Sequence, residues 1–282
     1  MSVDGKTEGS RAARLLAPSL GWIAIFFLCP LAVTVAYSLA TRGPYGNVEW
    51  TLGLGNYVRA IDPLYLAIYW RSLRVALITT VLCLAVGYPT AYAIALKTPK
   101  QWKGALLILA VIPFWTSFLV RTYAWRFLLQ DDGLINSLFA SLGVPAQKLL
   151  YTEVAVTLGQ VYGELPFMIL PLYAAIERLD PKLLEAASDL GANAVSRFAR
   201  VTLPLTKSGI VAGVVLVFVP SLGAFITPDM LGGAKSMMIG SLIQDQFVQR
   251  NAPFGAAVAN LLAIAVLVLL VIAWRSGVRT ET

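Results

Sequence analysis

Six long apolar stretches, separated by shorter polar segments, form the main pattern of this chain. An α-helix needs about 20 apolar residues to cross the hydrocarbon layer of a membrane, and each stretch meets that length. We therefore predict six spanning helices, at residues 15–41, 72–96, 105–129, 154–176, 208–228 and 252–274. A cleaved signal peptide is the competing interpretation of the first stretch, but the apolar core of such peptides is only about 7–15 residues long.

A polar-rich segment, residues 180–204, lies between the fourth and fifth predicted spans and carries both end signals of a short helix. Asp180 can cap the first turn, and Pro181 suits the first helical position because its missing N–H is not needed there. Gly191 can adopt the left-handed conformation that closes a helix. Between these signals, four apolar residues recur at helical spacing: Leu183, Leu184, Ala187 and Leu190. This pattern predicts an amphipathic helix over 181–190 that can dock onto something outside the bilayer.

The composition supports a membrane protein and excludes several other classes. Of the 282 residues, 58% are hydrophobic and only 13% are charged, which is far from the average of soluble domains. The fold class that we predict is therefore an all-α polytopic membrane protein. The net charge of +7 does not predict nucleic-acid binding, because the basic residues lie in small clusters at the ends of the apolar stretches rather than in one patch.

The basic residues also predict the orientation of the chain. With six spans, both termini lie on the same side of the membrane. Placing them in the cytoplasm puts the N-terminal tail 1–14, the lysines of 97–103, the loop 177–207 and the C-terminal tail 275–282 there too, and these segments carry 13 of the 22 basic residues. Cytoplasmic loops are enriched in Lys and Arg, so we predict cytoplasmic termini and one spanning domain over 15–274.

Few residues could carry catalytic chemistry. The chain contains no histidine, no phosphate-binding G-x-x-x-x-G-K-[ST] loop, no metal-ligand spacing and no nucleophile elbow. We therefore expect neither an enzyme nor a cofactor or metal bound by this chain. Its two cysteines, Cys29 and Cys83, lie within apolar stretches, where we expect them to be small buried side chains.

Glu164, in the fourth predicted span, is the most informative polar residue. A charge at mid-bilayer costs roughly 2.5–3.5 kcal/mol on insertion scales unless it faces the protein interior or water. Thr157, Gln160 and Glu164 lie on one helical stripe, which favours an inward position that lines a solute path. The alternatives are a structural glutamate that pairs with an arginine of another span, or a glutamate that is protonated.

Other polar and aromatic residues near the predicted membrane surfaces have two interpretations each. Asp229, at the end of the fifth span, either guards the mouth of a pathway or caps the following turn. Arg121 and Arg126 either extend to the interface or pair with an acidic residue of a neighbouring loop. Trp115 and Tyr123 fit an interfacial aromatic belt, but their rings are also suitable partners for a cationic solute.

Several motifs resemble those of a known transporter family. The pattern Glu185-Ala-Ala-x-x-x-Gly191, followed by Leu203-Pro204, resembles the cytoplasmic signature loop of permeases of bacterial ATP-binding-cassette importers. Further segments are similar to the spermidine/putrescine permease family: PFWTSFLVR at 113–121, LPFMILP at 165–171, PLTKSGI at 204–210, LGGAKSMMIG at 231–240 and PFG at 253–255. Together these segments extend the resemblance from about residue 70 to the end of the chain.

The resemblance implies a permease subunit of the bacterial inner membrane rather than a complete transporter. A second, similar permease, two ATPase subunits that bind ATP and Mg²⁺, and a periplasmic solute-binding protein would complete the assembly in membrane lipid. The helix 181–190 would be the coupling helix, seated in a cleft of one ATPase. The residues to which the resemblance assigns ATPase coupling are Leu184, Glu185, Ala186, Ala187, Gly191, Leu203 and Pro204.

The same resemblance implies a polyamine as the solute. A polyamine is a flexible polycation, so its path needs carboxylates and aromatic faces. The residues that we expect to line this path are Glu164, Gln160, Asp229, Trp115 and Tyr123. An opine or another amino compound remains open as the solute. A secondary transporter without an ATPase is the alternative class, but no internal repeat is evident and the signature loop would be unexplained.

Overall fold

The computed structural model describes residues 5–233 and 236–278, which are mainly helical. Its α-helices are α1 (Gly5–Leu39), α2 (Gly55–Ala60), α3 (Pro63–Tyr92), α4 (Lys100–Trp115), α5 (Phe118–Leu129), α6 (Leu134–Ser141), α7 (Glu153–Glu177), α8 (Pro181–Asp189), α9 (Ala194–Arg197), α10 (Leu203–Leu205), α11 (Lys207–Gly223), α12 (Ile239–Val248) and α13 (Ala252–Val278). Three π-helical turns adjoin them, at Ala93–Lys97, Phe198–Thr202 and Pro228–Gly232. After α1 comes a short antiparallel hairpin, β1 (Thr41–Arg42) and β2 (Val48–Glu49).

Four helical segments are long and apolar enough to cross a membrane: Leu16–Leu39, Pro63–Lys97, Glu153–Glu177 and Ala252–Ala273. Two further pairs of helices reach that length only when each bent pair is counted as one span. The segments Lys100–Trp115 and Phe118–Ser141 meet at 88°, and the segments Ala194–Leu205 and Lys207–Gly223 meet at 68°. The described residues therefore hold four continuous spans, and the predicted count of six is reached when each bent pair is one span.

The prediction of one continuous third span over 105–129 is wrong, because the chain is extended at Thr116 and Ser117. Pro113 has no N–H to donate to the turn before it, which weakens the helix here. The carbonyl of Pro113 then finds new donors at the break. The Thr116 hydroxyl donates to it at 2.8 Å, and the Arg121 guanidinium donates at 2.6 Å. Arg121 therefore stabilises the broken end of α4.

Two other predicted boundaries also differ from the structure. The second span begins at Pro63 rather than at residue 72, because Arg71 and Arg74 continue the helix and find an acidic partner in Glu153. The fifth span ends at Gly223 rather than at residue 228, and the chain then becomes extended. A hydropathy pattern does not report tertiary contacts, such as the ion pairs that let Arg71 and Arg74 lie within α3. It therefore misplaces such helix boundaries.

The larger of two compact units comprises Pro63–Gln244 and the described residues from Ala263 onward. Its core lies where α3, α7 and α11 pack together, around Met168, Leu172 and Val217. Glycine allows α11 to approach α7 closely, since a Cβ atom on Gly209 would lie 2.5 Å from the Ala175 Cβ atom. Small residues at such crossings are typical of packed membrane helices. Cys83 is buried in this core, as predicted.

The smaller unit comprises the described residues up to Asp62 together with Asp245–Leu262. Asn260 on α13 donates hydrogen bonds to the Tyr57 hydroxyl at 3.2 Å and to the Thr34 carbonyl at 3.4 Å. Most of the stretch Leu16–Leu39 of α1 is uncovered by the chain, but Ser38 in its last turn is buried and hydrogen-bonded to the Tyr57 hydroxyl at 2.8 Å. Cys29 is exposed there, so the expectation that both cysteines are buried is wrong for this one.

Candidate coupling loop and solute path

Helix α8 forms as its end signals predict. The Asp180 Oδ1 atom accepts a hydrogen bond from the Lys182 N–H at 3.0 Å, so the aspartate caps the first turn. Gly191 has a φ of +80°, and its N–H donates to the Ser188 carbonyl at 2.9 Å. A side chain at Gly191 would meet no atom within 4 Å, so only the left-handed backbone conformation calls for glycine here. The sequence therefore specifies both the start and the end of this rod.

The signature residues of α8 are open to a partner. Glu185 and Ala186 are exposed, whereas Leu184 and Ala187 are half-buried. The predicted apolar stripe is only partly covered by the chain, because Leu190 is 89% exposed. An amphipathic helix that leaves apolar residues uncovered has surface available for another molecule.

A second short helix follows α8 and is fixed to it. Asn193 caps this helix by accepting from the Ser196 N–H at 2.8 Å, and the Arg197 guanidinium donates to the Ser188 hydroxyl of α8. The helical path continues through the π-turn Phe198–Thr202 to Leu205, where it bends into α11. Pro204 lies inside the last turn rather than at its end. Leu203 and Pro204 are both exposed, beside the bend.

The polar stripe of α7 divides into a paired and an unpaired part. Gln160 is only 4% exposed, and its Oε1 atom accepts a hydrogen bond from the Thr79 hydroxyl of α3 at 3.1 Å. The Gln160 amide also approaches the Ser221 carbonyl of α11 at 3.5 Å. The structure therefore places Gln160 between three packed helices. Thr157 is buried as well, and its hydroxyl donates to the Glu153 carbonyl of its own helix.

Glu164 has different surroundings from Gln160, although it lies one turn further along α7. Its Oε2 atom is buried and has no hydrogen-bond partner among the residues that the structure describes. Arg121 is near enough for its charge to act on this carboxylate, but its guanidinium donates to the Pro113 carbonyl and lies over the rings of Phe118 and Tyr162 at 5.5 and 6.0 Å. A buried carboxylate oxygen without a donor is the feature that a cationic ligand would satisfy.

The other predicted path residues lie at the surface of the chain. Trp115 is 86% exposed at the break between α4 and α5, Tyr123 is exposed on α5, and Asp229 is exposed on the π-turn after α11. Arg126 donates to the Tyr151 hydroxyl at 3.2 Å, so it contacts a loop residue rather than an acidic one. Exposure of this kind is compatible with a path, with lipid and with a subunit interface.

Sequence reasoning missed several residues around the stripe. Tyr162 lies beneath the Arg121 guanidinium and packs edge-on against Trp125, with 5.6 Å between the ring centroids. Thr79 and Ser221 are the partners of Gln160. A signal for Thr79 was present, since Thr79 and Thr80 interrupt an otherwise apolar part of the second span. The role of Ser221 depends on its backbone carbonyl, which no residue type reveals.

Ion pairs join the helices at both ends of this unit. Arg71 approaches Glu153 at 3.4 Å, and Arg74 also contacts this carboxylate. Lys103 of α4 bonds to the Glu177 carboxylate at 3.1 Å and to the Ala95 carbonyl at 2.6 Å. Lys103 therefore ties the ends of three helices together as well as adding to the charge bias. No group of three or more metal-ligating side chains is found in the described residues.

Solved structures with a similar fold include chains of two ABC transporters. The chain superposes with a TM-score of 0.72 on a chain of a bacterial alginate ABC transporter, which was solved in complex with an alginate pentasaccharide-bound periplasmic protein; 98% of this chain and 97% of that one are covered. A chain of the MetNI methionine ABC transporter gives a TM-score of 0.59 and covers 78% of this chain and 99% of that one. The sequence identities are 19% and 16%, so these two show the fold alone. They confirm the predicted all-α membrane fold.

Curated relatives are much closer in sequence. The chain is 42% identical over 259 residues to the spermidine/putrescine transport system permease protein PotB of Haemophilus influenzae, which covers 91% of this chain and 90% of that protein. It is 41% identical to the PotB protein of Escherichia coli strain K12, over 93% and 96% of the two chains. The inner membrane ABC transporter permease protein YdcU of the same organism is 33% identical, over 86% and 82%.

The family comparison covers most of the chain. A model of the family described as "binding-protein-dependent transport system inner membrane component" matches residues 84–277. This range contains the signature motif of α8, the bend before α11 and the polar stripe of α7. The resemblance that the sequence motifs indicated is therefore confirmed, and the chain belongs to the inner membrane component family of binding-protein-dependent transport systems.

Proposed function

We propose that the chain is the membrane permease subunit of an ATP-driven importer for a polyamine or a closely related cationic amine. The observation that carries this proposal is the 42% identity, over 91% of the chain, to a protein named as a spermidine/putrescine permease. The relatives are transport permeases rather than enzymes, so the chain supplies a path and not a reaction.

The path for the solute passes Glu164. A polyamine ammonium group has several N–H donors and no acceptor, which complements a buried carboxylate oxygen that lacks a donor. Tyr162, whose ring centroid lies 6.0 Å from the Arg121 guanidinium, offers an aromatic face for the carbon chain and its charge. Asp229, Trp115 and Tyr123 are further contacts in this proposal, and Gln160 shapes the wall of the path.

The driving force enters from the cytoplasm at α8. The exposed Glu185 and Ala186 and the uncovered Leu190 support its docking into an ATPase subunit, which binds ATP and Mg²⁺. A second permease completes the path, and a periplasmic binding protein delivers the solute. In this arrangement both termini are cytoplasmic, with tails at 1–14 and 275–282 flanking the spanning domain 15–274.

Uptake into proteoliposomes tests the solute. The chain is reconstituted with its paired permease, two ATPase subunits and the binding protein, and uptake of labelled spermidine and putrescine is measured with ATP inside the vesicles. We expect saturable uptake that needs both ATP and the binding protein. An opine and an uncharged amino compound are the competitors. Uptake driven by an ion gradient without the ATPase would contradict the proposal and support a secondary transporter.

Substitutions in α8 test the coupling. Glu185→Ala and Gly191→Ala are expected to lower solute-stimulated ATP hydrolysis, the first by removing an exposed signature carboxylate and the second by straining a left-handed backbone position. Lys182→Ala is the matched control, because Lys182 is exposed on the same helix but lies outside the motif. Stimulated hydrolysis at the wild-type level in both motif variants would remove α8 from the coupling.

A further inference from the structure

A buried hydrogen bond joins α3 to the bend that precedes α11. Thr206 is fully buried at this bend, where the two helical axes differ by 68°. The hydroxyl of Tyr88, a buried residue of α3, lies 2.8 Å from the Thr206 hydroxyl. Thr206 donates its only hydroxyl hydrogen to the Thr202 carbonyl at 2.8 Å, so Tyr88 is the donor in the bond between them.

Aromatic contacts place the coupling loop against the same tyrosine. The ring of Phe198 meets the ring of Tyr88 edge-on, with 5.4 Å between centroids and 88° between planes. Phe198 directly follows Arg197, whose guanidinium donates to the Ser188 hydroxyl of α8. A continuous series of contacts therefore leads from α8 through Arg197 and Phe198 to Tyr88. The hydrogen bond between Tyr88 and Thr206 extends this series to the bend.

The position of this bond decides which span follows a movement of the loop. The bend at Thr206 connects the loop covalently to α11 alone. Helix α3 has no covalent link to the loop, so it receives a displacement only through side-chain contacts. Ring packing resists compression but yields easily to sliding, whereas a hydrogen bond between two buried hydroxyls is directional and has no water to replace either partner. The Tyr88–Thr206 bond is thus a directional contact between α3 and the bend, in addition to the packing of α3 against α11.

We propose that Tyr88 is a positioning residue for ATPase coupling, in which its bond to Thr206 transmits movement of α8 to α3. This inference rests on the proposed function, because it takes α8 to dock on an ATPase. It adds a non-covalent route into the spans, beside the covalent ones through α7 and α11. Loss of the hydroxyl lets the bend move without α3, so ATP is hydrolysed while less solute is carried.

The experiment uses the complete assembly, with its binding protein and spermidine, in proteoliposomes. Tyr88→Phe keeps the ring against Phe198 and leaves the Thr206 hydroxyl its acceptor at Thr202, so the fold is preserved. We expect the number of solute molecules carried per ATP to fall about threefold or more, which corresponds to the loss of one buried hydrogen bond. The rate of solute-stimulated ATP hydrolysis should stay within about twofold of wild type, since neither Tyr88 nor Thr206 belongs to the ATPase-docking surface.

Tyr92→Phe is the matched control. Tyr92 lies one turn further along α3 and also contacts the Phe198 ring, at 6.4 Å, but its hydroxyl has no hydrogen bond among the described residues. We expect the wild-type ratio of solute to ATP. Thr206→Val removes the same bond from the other side, so it should lower the ratio too, and the double variant should be no worse than the more affected single variant.

The outcomes separate this inference from the proposed function. If the wild-type assembly shows no ATP-driven uptake, the proposed function fails. If the wild type couples and Tyr88→Phe carries as much solute per ATP, the inference is overturned and the proposed function stands. A parallel fall of hydrolysis and uptake, together with a lower melting temperature of the variant, would show that the bond only holds the fold, and this also overturns the inference.

Discussion

Gln160 and Glu164 lie one turn apart on the same face of α7, yet the chain treats them differently. Gln160 is bonded to Thr79 and approaches the Ser221 carbonyl, whereas the Glu164 Oε2 atom is buried without a partner in the described part of the chain. Buried polar groups inside membrane proteins are normally paired. Equal spacing along a helix therefore does not mean equal surroundings: Gln160 contacts two other helices, whereas Glu164 has a buried carboxylate oxygen without a hydrogen-bond partner among the described residues.

At the break after α4 the Arg121 guanidinium is bonded to the Pro113 carbonyl, although the Glu164 carboxylate is near. A continuous third span would have left Arg121 free to seek a carboxylate. Because the helix breaks, the Pro113 carbonyl loses its helical donors and takes the guanidinium at 2.6 Å. Arg121 keeps its electrostatic effect on Glu164 but directs a hydrogen bond elsewhere. On the proposed path, a cation at Glu164 would therefore compete with an arginine that is already hydrogen-bonded to another group.

The largest expected effect is a loss of transport when the Glu164 carboxylate is removed. Glu164→Gln keeps the shape of the side chain and removes the carboxylate that a polycation needs. Loss of a charge-assisted contact of about 1.5–3 kcal/mol corresponds to a roughly 10- to 150-fold fall in the spermidine uptake rate. The rate is measured in proteoliposomes, and the melting temperature of the assembly should stay unchanged.

Asp131→Asn is the control for this prediction, because it removes a carboxylate from an exposed loop between α5 and α6. It should transport spermidine like the wild type. If Glu164→Gln also transports normally in a fully assembled complex, Glu164 does not lie on the path.

The next largest effect is a loss of stability when the Gln160 amide is removed. Gln160→Leu removes the contacts of the amide with the Thr79 hydroxyl, the Ser221 carbonyl and the Met238 sulfur, and leaves these groups to find other partners. We expect a loss of about 1–3 kcal/mol in the free energy of unfolding. Denaturant titration of the purified assembly measures this loss. Glu164→Leu, in contrast, should not lower the free energy of unfolding, because it replaces an unpaired buried oxygen with an apolar group. Equal losses of stability in the two leucine variants would contradict the distinction between Gln160 and Glu164.

The sequence was informative wherever a local signal decides the structure. Helix α8 follows from Asp180, Pro181 and Gly191, because a cap, a first-turn proline and a left-handed glycine act within a few residues of each other. The polar stripe of α7 follows from helical spacing alone. Both features could be predicted without knowledge of any other helix.

The rest depends on partners that are distant in the chain. Gln160 meets Thr79 and Ser221, which are 81 and 61 residues away, so nothing near Gln160 distinguishes it from Glu164. The arginines that α3 carries near its start, Arg71 and Arg74, find their acidic partner at Glu153, far along the chain. The break after α4 shows the same limit, because hydropathy continues across it while the Pro113 carbonyl turns to Thr116 and Arg121.

A smaller loss of stability is expected when the partner of Gln160 on α3, Thr79, is changed. Thr79→Val removes the donor to Gln160 but fills nearly the same volume in the core. We expect a loss of about 0.5–1.5 kcal/mol, which is less than for Gln160→Leu because only one hydrogen bond disappears. In a double-mutant cycle with Gln160→Leu, the two losses should not add, since both variants break the same bond. Additive losses would show that the bond contributes nothing.

The smallest effect belongs to the third member of the stripe. Thr157 is buried, like Gln160, but its hydroxyl bonds only to the Glu153 carbonyl in the preceding turn of its own helix, at 2.8 Å. That bond joins no second helix, and a carbonyl within a helix usually has its N–H donor as well. Thr157→Val is therefore expected to change the free energy of unfolding by no more than about 0.5 kcal/mol. Uptake of spermidine should also stay at the wild-type level. A loss as large as that of Gln160→Leu would mean that burial on this face, rather than pairing across helices, decides which polar residues hold the spans together.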